Sequence, residues 1–334
     1  MRVLVVGDVA LDVLVAPAVA PVPGADVPAR IRTRPGGAGA NTAAWLAHLG
    51  RSAGIAVTLA ARVGADPAGR AAAADLAAAG VTAHLAVDPG AATCTVVALL
   101  GPPSTTPVGA PPVDVRPPGA PPGRALGRRS EGAGVGGHDG RRLVDTGDRT
   151  LLSDRGAAAR LGPGDLPDLV GFDHLHLSGY VLLDASSRAA GRAALGAAHT
   201  AGISTSVDPQ SAPALAGPGR AAAFLDDVQG VDLLLPNADE LRALGGTAAV
   251  LRYVGAVAVS AGPAGASWAD ASGGHTAPAP AVTVVDATGA GDAFDAGVLA
   301  SWLGGSTPAD ALAAGCAAGA AAVGRLGARP GDRH

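Results

Sequence analysis

Lysine is absent from this chain: all 24 of its basic residues are arginine. That excludes a Walker A loop, whose lysine lies on the phosphates, and imine chemistry on a lysine amine. Aromatic residues are nearly missing, with three Trp, two Tyr and three Phe in 334 residues, so the core must be built from Ala, Val and Leu. Only two cysteines occur, Cys94 and Cys316, far apart in apolar runs, which argues for buried reduced thiols over a disulfide framework. Charge of either sign is sparse and the net charge is −4, so there is no basic surface and no nucleic-acid partner is expected. Long uninterrupted apolar runs are lacking too. The Ala-rich stretches are broken by Gly, Arg or Asp short of a membrane span. The opening MRVLVVGDVALDVLV shows no signal-peptide cleavage pattern. A soluble, cytoplasmic protein with no membrane partner is expected.

What is present is alternation. Short Val/Leu/Ile runs interleave with Ala-rich helical stretches, the pattern of βαβ units and a mainly parallel, doubly wound sheet in an α/β fold. Residues 3–7 read as a strand, Asn41–Leu49 as a helix stopped by Gly50, residues 55–60 as a strand, and Ala68–Ala79 as a helix. Three further apolar runs, 81–87, 93–100 and 149–154, have no helix between them and predict a small antiparallel sheet beside the main domain. Alternation then resumes through 174–179, 203–208, 231–237 and 256–262. A strand at 282–286 feeds a helix to about Leu303, and Pro308–Val323 forms the last helix. Residues 101–148, with 20 Pro or Gly in 48, break the pattern and are expected to be a disordered or loop insertion. The whole chain reads as one domain.

Five stretches could carry chemistry. In VVDATGAGDAF (284–294) a strand ends and a helix begins within a run of small residues. The amides of Gly289, Ala290 and Gly291 would then be unpaired at the positive end of a helix, able to hold an anion. Asp292 beside them could take a proton from a hydroxyl attacking phosphorus. A tight turn with an acid in the first helical turn reads equally well. RPGGAGAN offers Gly36, Gly37 and Gly39 for close ligand approach, with Asn41 at a helix start, or simply an N-cap. The spacing is not that of a dinucleotide fingerprint. GDVALD puts Asp8 and Asp12 past the first strand, where carboxylates can hold sugar hydroxyls or face solvent. LLLPNADE offers Asn237 and Glu240, either a capping box or a carboxylate organising Mg²⁺-bound water near phosphates. VSAGPAG, with Ser260, Gly262 and Gly265, suits a nucleotide bed or a plain hairpin. His174 and His176 alternate on a strand and lack a third ligand at metal-site spacing.

Taken in this order, the stretches resemble the ribokinase-like (PfkB) carbohydrate kinases. The resemblance rests on GGAGAN (36–41) and DATGAGDAF (286–294), supported by ARVGADPAG (61–69) and PNADE. It implies a doubly wound α/β domain with a small β-sheet lid, drawn here from about 9–34 and 81–154. It also implies ATP-dependent phosphorylation of a primary hydroxyl of a pentose, ketohexose or sugar acid. Carried residue by residue, Asp292 matches the base and Gly289, Ala290 and Gly291 the anion hole. Asp12, Gly36, Gly37 and Asn41 match sugar-binding positions. Asn237, Ser260, Gly262 and Gly265 match nucleotide-binding positions, and Glu240 a residue acting indirectly on Mg²⁺. Asp286 and Thr288 match positions that hold a monovalent cation, commonly K⁺. In the family the lid often forms a homodimer interface. A nucleoside kinase and a non-catalytic regulator on the same scaffold are the competing readings. Residue 287 is Ala where the family usually has Thr, and no lysine follows Gly36 and Gly37, so ribose itself is not secured as the substrate.

Overall fold

A computed structural model describes residues 1–100 and 149–331. The expected insertion at 101–148 lies outside the described residues. The chain begins with β1 (Arg2–Val6), then β2 (Ala10–Pro17), β3 (Ala29–Gly36), α1 (Ala38–Leu49), β4 (Ala56–Gly64), α2 (Pro67–Ala78) and β5 (Val81–Asp88). Next come β6 (Cys94–Leu100), β7 (Arg149–Asp154), β8 (His174–Ser178), α3 (Tyr180–Leu183), α4 (Arg188–Ala201) and β9 (Ser204–Asp208). They are followed by α5 (Ala212–Leu215), α6 (Arg220–Asp227), β10 (Leu233–Leu234), α7 (Ala238–Ala243), α8 (Thr247–Val250) and β11 (Ala256–Ser260). A hairpin of β12 (Ala266–Asp270) and β13 (Gly273–Ala277) precedes the last helices, α9 (Ala290–Trp302) and α10 (Pro308–Val323).

Among the described residues a nine-stranded sheet runs β13-β12-β11-β10-β9-β8-β1-β4-β5, and a four-stranded sheet runs β3-β2-β6-β7. Strand order departs from β1 in both directions, so the chain reverses its winding there. The crevice outside the carboxyl ends of β1 and β8 is where such sheets accept ligands. Asp208 ends β9 and Gly179 directly follows β8, while Asp8 lies two residues past β1 and Asn237 three past β10.

Three expectations are corrected. Val81–Asp88 is not part of the small sheet; it pairs with β4 in parallel at the edge of the large one. The helix α2 supplies the crossover that parallel pairing requires, so the segment continues the alternation. The small sheet is mixed rather than antiparallel, because β2 and β6 pair in parallel after the chain has made a long return through α1, β4, α2 and β5. Residues 282–286 form no strand despite their valines. The amides of Val285 and Asp286 instead donate to the Val323 carbonyl at 2.7 and 3.2 Å, tethering the segment to the end of α10. The β12–β13 hairpin, low in β-branched residues, escaped notice.

The core is aliphatic and small, as composition demands. Helices α9 and α10 approach so closely that a Cβ on Gly297 would stand 2.6 Å from the Ala314 carbonyl. Both cysteines are free and buried. No helix among the described residues is long and apolar enough to cross a membrane.

A polar ladder crosses this core. His174 contacts Ser204 Oγ and Ser206 Oγ at 2.8 Å each, and His176 contacts Ser206 Oγ at 2.8 Å. Burial pushes the two imidazoles down to about 3 and about 4, so both are neutral in the fold. Below about pH 6.5 the unfolded chain takes up protons that the native chain refuses, at a cost of roughly 1.4 kcal/mol per pH unit for each histidine. Buried acids with raised proton affinity act in the opposite sense, so the test is differential. Between about pH 6.5 and 4.5, denaturant melts should show wild-type stability falling more steeply with acidification than that of an H174Q/H176Q variant. Equal slopes would remove the ladder from the account.

Candidate active site

Two glycine-capped helix starts meet at the crevice. Gly37 caps α1 with φ 92°, and Gly289 caps α9 with φ 73°; neither offers a side chain to the first turn. At α1 the vacancy is taken by Asp8, whose carbonyl accepts from Ala40 at 3.1 Å and whose Oδ1 accepts from Gly39 at 3.3 Å. Asn41 is thus in the first turn of α1, not its cap as the sequence suggested. At α9 the first bond into the helix is Ala293 N–H to Gly289 O, at 2.9 Å. Ala290 N–H makes a long 3.4 Å contact with the Ala287 carbonyl, and no described residue accepts from Gly289 or Gly291. A Cβ on Gly291 would meet nothing, so the backbone at that position is uncrowded. This is a helix N-terminus whose first amides lack intrahelical acceptors, as an anion-binding end requires.

Asp292 lies half-buried in that first turn. Asn41 Nδ2 donates to its Oδ2 at 2.9 Å. Burial, and then the charges of Asp8 and Asp12, push the Asp292 carboxyl up to about 7, against the Asn41 hydrogen bond and the nearby Gln210 carboxamide, which hold it down. Such a group changes charge at neutral pH, as a general base should.

Behind it sits a second acid pair. Asp208 and Asp295 are both buried and hydrogen-bonded to each other, and desolvation first, then neighbouring carboxylates, raises each well above the usual range. Glu240, also buried, adds to the charge around Asp208.

The sugar-type positions converge from the other side. Asp12 on β2 leans over Gly36, where a Cβ would fall 2.2 Å from its carboxyl, so a side chain there would displace the acid. Arg155, just past β7, reaches Asp8 at 3.8 Å and Asp184 at 3.5 Å and lies 5.1 Å over the Tyr180 ring, joining the small sheet to the crevice.

The remaining positions have local structural partners. Asn237 Oδ1 accepts from Asp239 and Glu240 at 2.9 Å each, while Glu240 Oε2 accepts from Asn237 N–H at 2.8 Å, a complete capping box at α7. Ser260 ends β11, Gly262 and Gly265 lie in the turn to the antiparallel strand β12, and Gly265 (φ 91°) approaches the Ala277 carbonyl too closely for a side chain. Asp286 is buried below the α9 loop, its Oδ1 accepting from Thr288 at 2.8 Å and its Oδ2 from Gly327 at 3.0 Å. Sequence reasoning missed Arg329, Gln210, Asp208 and Asp295. Asp295 alone carried a signal, one helical turn after Asp292.

A family model for "pfkB family carbohydrate kinase" matches residues 2–108 and 141–333. The chain belongs to that family. It is an ATP-dependent kinase that phosphorylates an alcohol of a sugar or nucleoside. An ATP-dependent ribose-1-phosphate kinase of Halopiger xanaduensis is 34% identical over 227 residues, 61% of this chain and 71% of its own length. The fructoselysine 6-kinase of Escherichia coli is 42% identical over 89 residues, but the match spans 26% of this chain and only 34% of that enzyme. Among solved structures, a PfkB protein from Polaromonas sp. JS666 superposes with a TM-score of 0.72 at 25% identity, covering 98% of each chain. An E. coli protein provisionally assigned as a ribokinase II, in complex with ATP and Mg²⁺, reaches 0.75 at 22% identity over 98% of this chain and 94% of its own, a likeness of fold.

The kinase's α9 loop separates two kinds of glycine. Gly289→Ala would force a left-handed φ on alanine and press its Cβ within 2.7 Å of Ala328. A loss of about 1–3 kcal/mol is expected in denaturant melts. Gly291→Ala, with open space, should melt within about 0.5 kcal/mol of wild type.

Proposed function

We propose that the crevice transfers the γ-phosphoryl group of ATP to a primary hydroxyl of a small sugar: a pentose, a ketohexose or a sugar acid. The observation that carries this reading is Asp292, a carboxylate poised near neutrality in the first turn of a helix whose N-cap, Gly289, supplies no side chain to the first amides.

In this reading the amides of Gly289, Ala290 and Gly291 hold the γ-phosphate, and the α9 dipole adds to their attraction. The acceptor sugar lies against Gly36 and Gly37, with Asp12 and Asn41 binding its hydroxyls. Asp292 takes the proton of the attacking hydroxyl as its oxygen meets phosphorus in line with the leaving ADP oxygen. Charge growing on the phosphoryl oxygens meets donors already in place, so little reorganisation is needed. The turn at Ser260, Gly262 and Gly265, with Asn237 beside it, beds the nucleotide. The small sheet acts as a lid that excludes water and limits ATP hydrolysis. Exposed Ile31, Leu151 and Leu152 on its outer strands are the surface a second copy would cover in a homodimer.

The site fits Mg²⁺ of the kind that keeps its waters. Among the described residues no cluster of three or more His, Cys, Asp or Glu is arranged to hold a metal, and Glu240 is a buried carboxylate near Asp208. Magnesium carried on nucleotide phosphates needs no more. When bound, it neutralises phosphate charge. Asp286 and Thr288 are assigned to a monovalent cation, K⁺, which would offset the buried charge of Asp286.

ADP release over a panel of pentoses, ketohexoses, sugar acids and nucleosides tests the reading. Ribose 1-phosphate and fructoselysine, named by the relatives, belong in the panel. Saturable release with a sugar is expected; saturation only with nucleosides would move the assignment to a nucleoside kinase, and no release with any acceptor would point to a regulator. Asp292→Asn should lower kcat by about 10²–10⁴ with nucleotide affinity nearly unchanged, as read by turnover and equilibrium binding. In the wild type, kcat/KM should rise about tenfold per pH unit below about 7 and level off above it, because Asp292 must lose its proton to act.

A further inference from the structure

Three consecutive residues past α10 each touch a different part of the site. Gly327 N–H donates to Asp286 Oδ2 at 3.0 Å. Ala328 occupies the space beside Gly289, and its carbonyl accepts from Trp45 Nε1 of α1 at 2.8 Å. Arg329, only 4% exposed, donates from Nε to Asn41 Oδ1 at 3.2 Å and from Nη2 to the Gly36 carbonyl at 3.0 Å.

The chemistry of these donors constrains Asn41. A carboxamide presents an acceptor at one corner and two donors at the other, whereas a guanidinium only donates. The corner of Asn41 that faces Arg329 must therefore be its oxygen. That leaves the amide NH₂ facing Asp292, 2.9 Å away. Rotating the carboxamide by half a turn would set donor against donor at Arg329 and acceptor against carboxylate at Asp292. Either mismatch in a buried site costs more than the bond it replaces.

We propose that Arg329 is a positioning residue of the phosphoryl-transfer site, locking the orientation of Asn41 so that a donor always faces Asp292, and fixing the Gly36 backbone with the same guanidinium. This rests on the reading of Asp292 as the base. Arginine is needed because its planar fork reaches two acceptors at once, which a lysine ammonium on the same stem does not reproduce. The donor matters because of what surrounds Asp292. Asp8 and Asp12 face it from the β1 and β2 side, and Asp208 and Asp295 from β9 and α9. The Tyr180 phenol of α3 is near enough to feel its charge. The Asn41 and Gln210 amides oppose that crowd of acids. With Asn41 free to turn, Asp292 holds its proton to higher pH and its aim at the acceptor hydroxyl is lost.

The test uses the full-length enzyme as wild type, R329K and R329Q, with the acceptor found by the ADP-release panel. R329Q should lose about 10–10² in kcat with KM for ATP unchanged, the scale of a small misplacement of reacting groups. Its acid limb in kcat/KM should move to higher pH, and R329K should recover part of both. A structural role alone would lower the melting temperature and the folded fraction yet leave the pH profile of the folded enzyme where it was. That outcome overturns the proposal, as does a wild-type kcat in both variants. Carboxyl ¹³C NMR titration of Asp292 decides independently of turnover. A midpoint higher in R329Q than in wild type supports the proposal, and coincident midpoints overturn it, even if no acceptor is ever phosphorylated and the kinase reading itself falls.

Discussion

The hydrogen bond from Asn41 to Asp292 joins residues 251 positions apart and fixes the two helix starts against each other. Without it, α1 would carry the glycine loop on one side of the crevice and α9 the anion loop on the other, with no shared reference. The rest of the site is arranged around this one contact. Asp8 satisfies the start of α1, Asp286 braces the turn into α9, and the segment 327–329 runs behind both. Parallel sheets bring such loops to one edge; a specific contact is still needed to set their separation to within a fraction of an ångström.

The electrostatics of the crevice are a compromise between folding and chemistry. Five aspartates and a glutamate crowd the carboxyl ends of the strands, and burial raises the proton affinity of at least four of the six. A protein selected for stability alone would not gather like charges in a partly dry cleft. The arrangement is tolerable because burial raises the proton affinity of acids such as Asp208 and Asp295, and because arginines stand at its borders. Arg155 approaches from the small sheet and Arg329 from the C-terminal segment. Each acts by direction as well as by charge.

How much of this was legible in the sequence follows from which forces are local. The βα alternation, the glycine stops of α1 and α2, and the small-residue loop before α9 are local and could be read directly. The 282–286 run could not, since its β-branched residues satisfy strand propensity while its amides are claimed by the end of α10. Assigning 81–88 to the small sheet overlooked that α2 already provided a crossover. Within the site, Asp292 and its loop were visible because glycine, a small run and an acid at a strand–helix junction have a mechanical meaning. Arg329 was not visible. A single arginine between alanine and proline has no periodicity, and its importance comes from a partner 288 positions away. Gln210 was hidden for a similar reason: it is non-glycine at φ 71°, and its role shows only once β9 is placed beside α9.

The close contact of α9 and α10 at Gly297 and Gly315 has a consequence for how this enzyme tolerates change. At Gly297 the α9 backbone touches that of α10, and at Gly315 the α10 backbone is covered by the Val298 and Phe294 side chains of α9. The vulnerable direction is growth. A single added methyl at those contacts wedges two helices apart, and α9 carries Asp292 at its head. Sequence drift in this floor is therefore confined by crowding, and relatives that evolve bulkier cores must widen the helix spacing before they can keep the same catalytic turn.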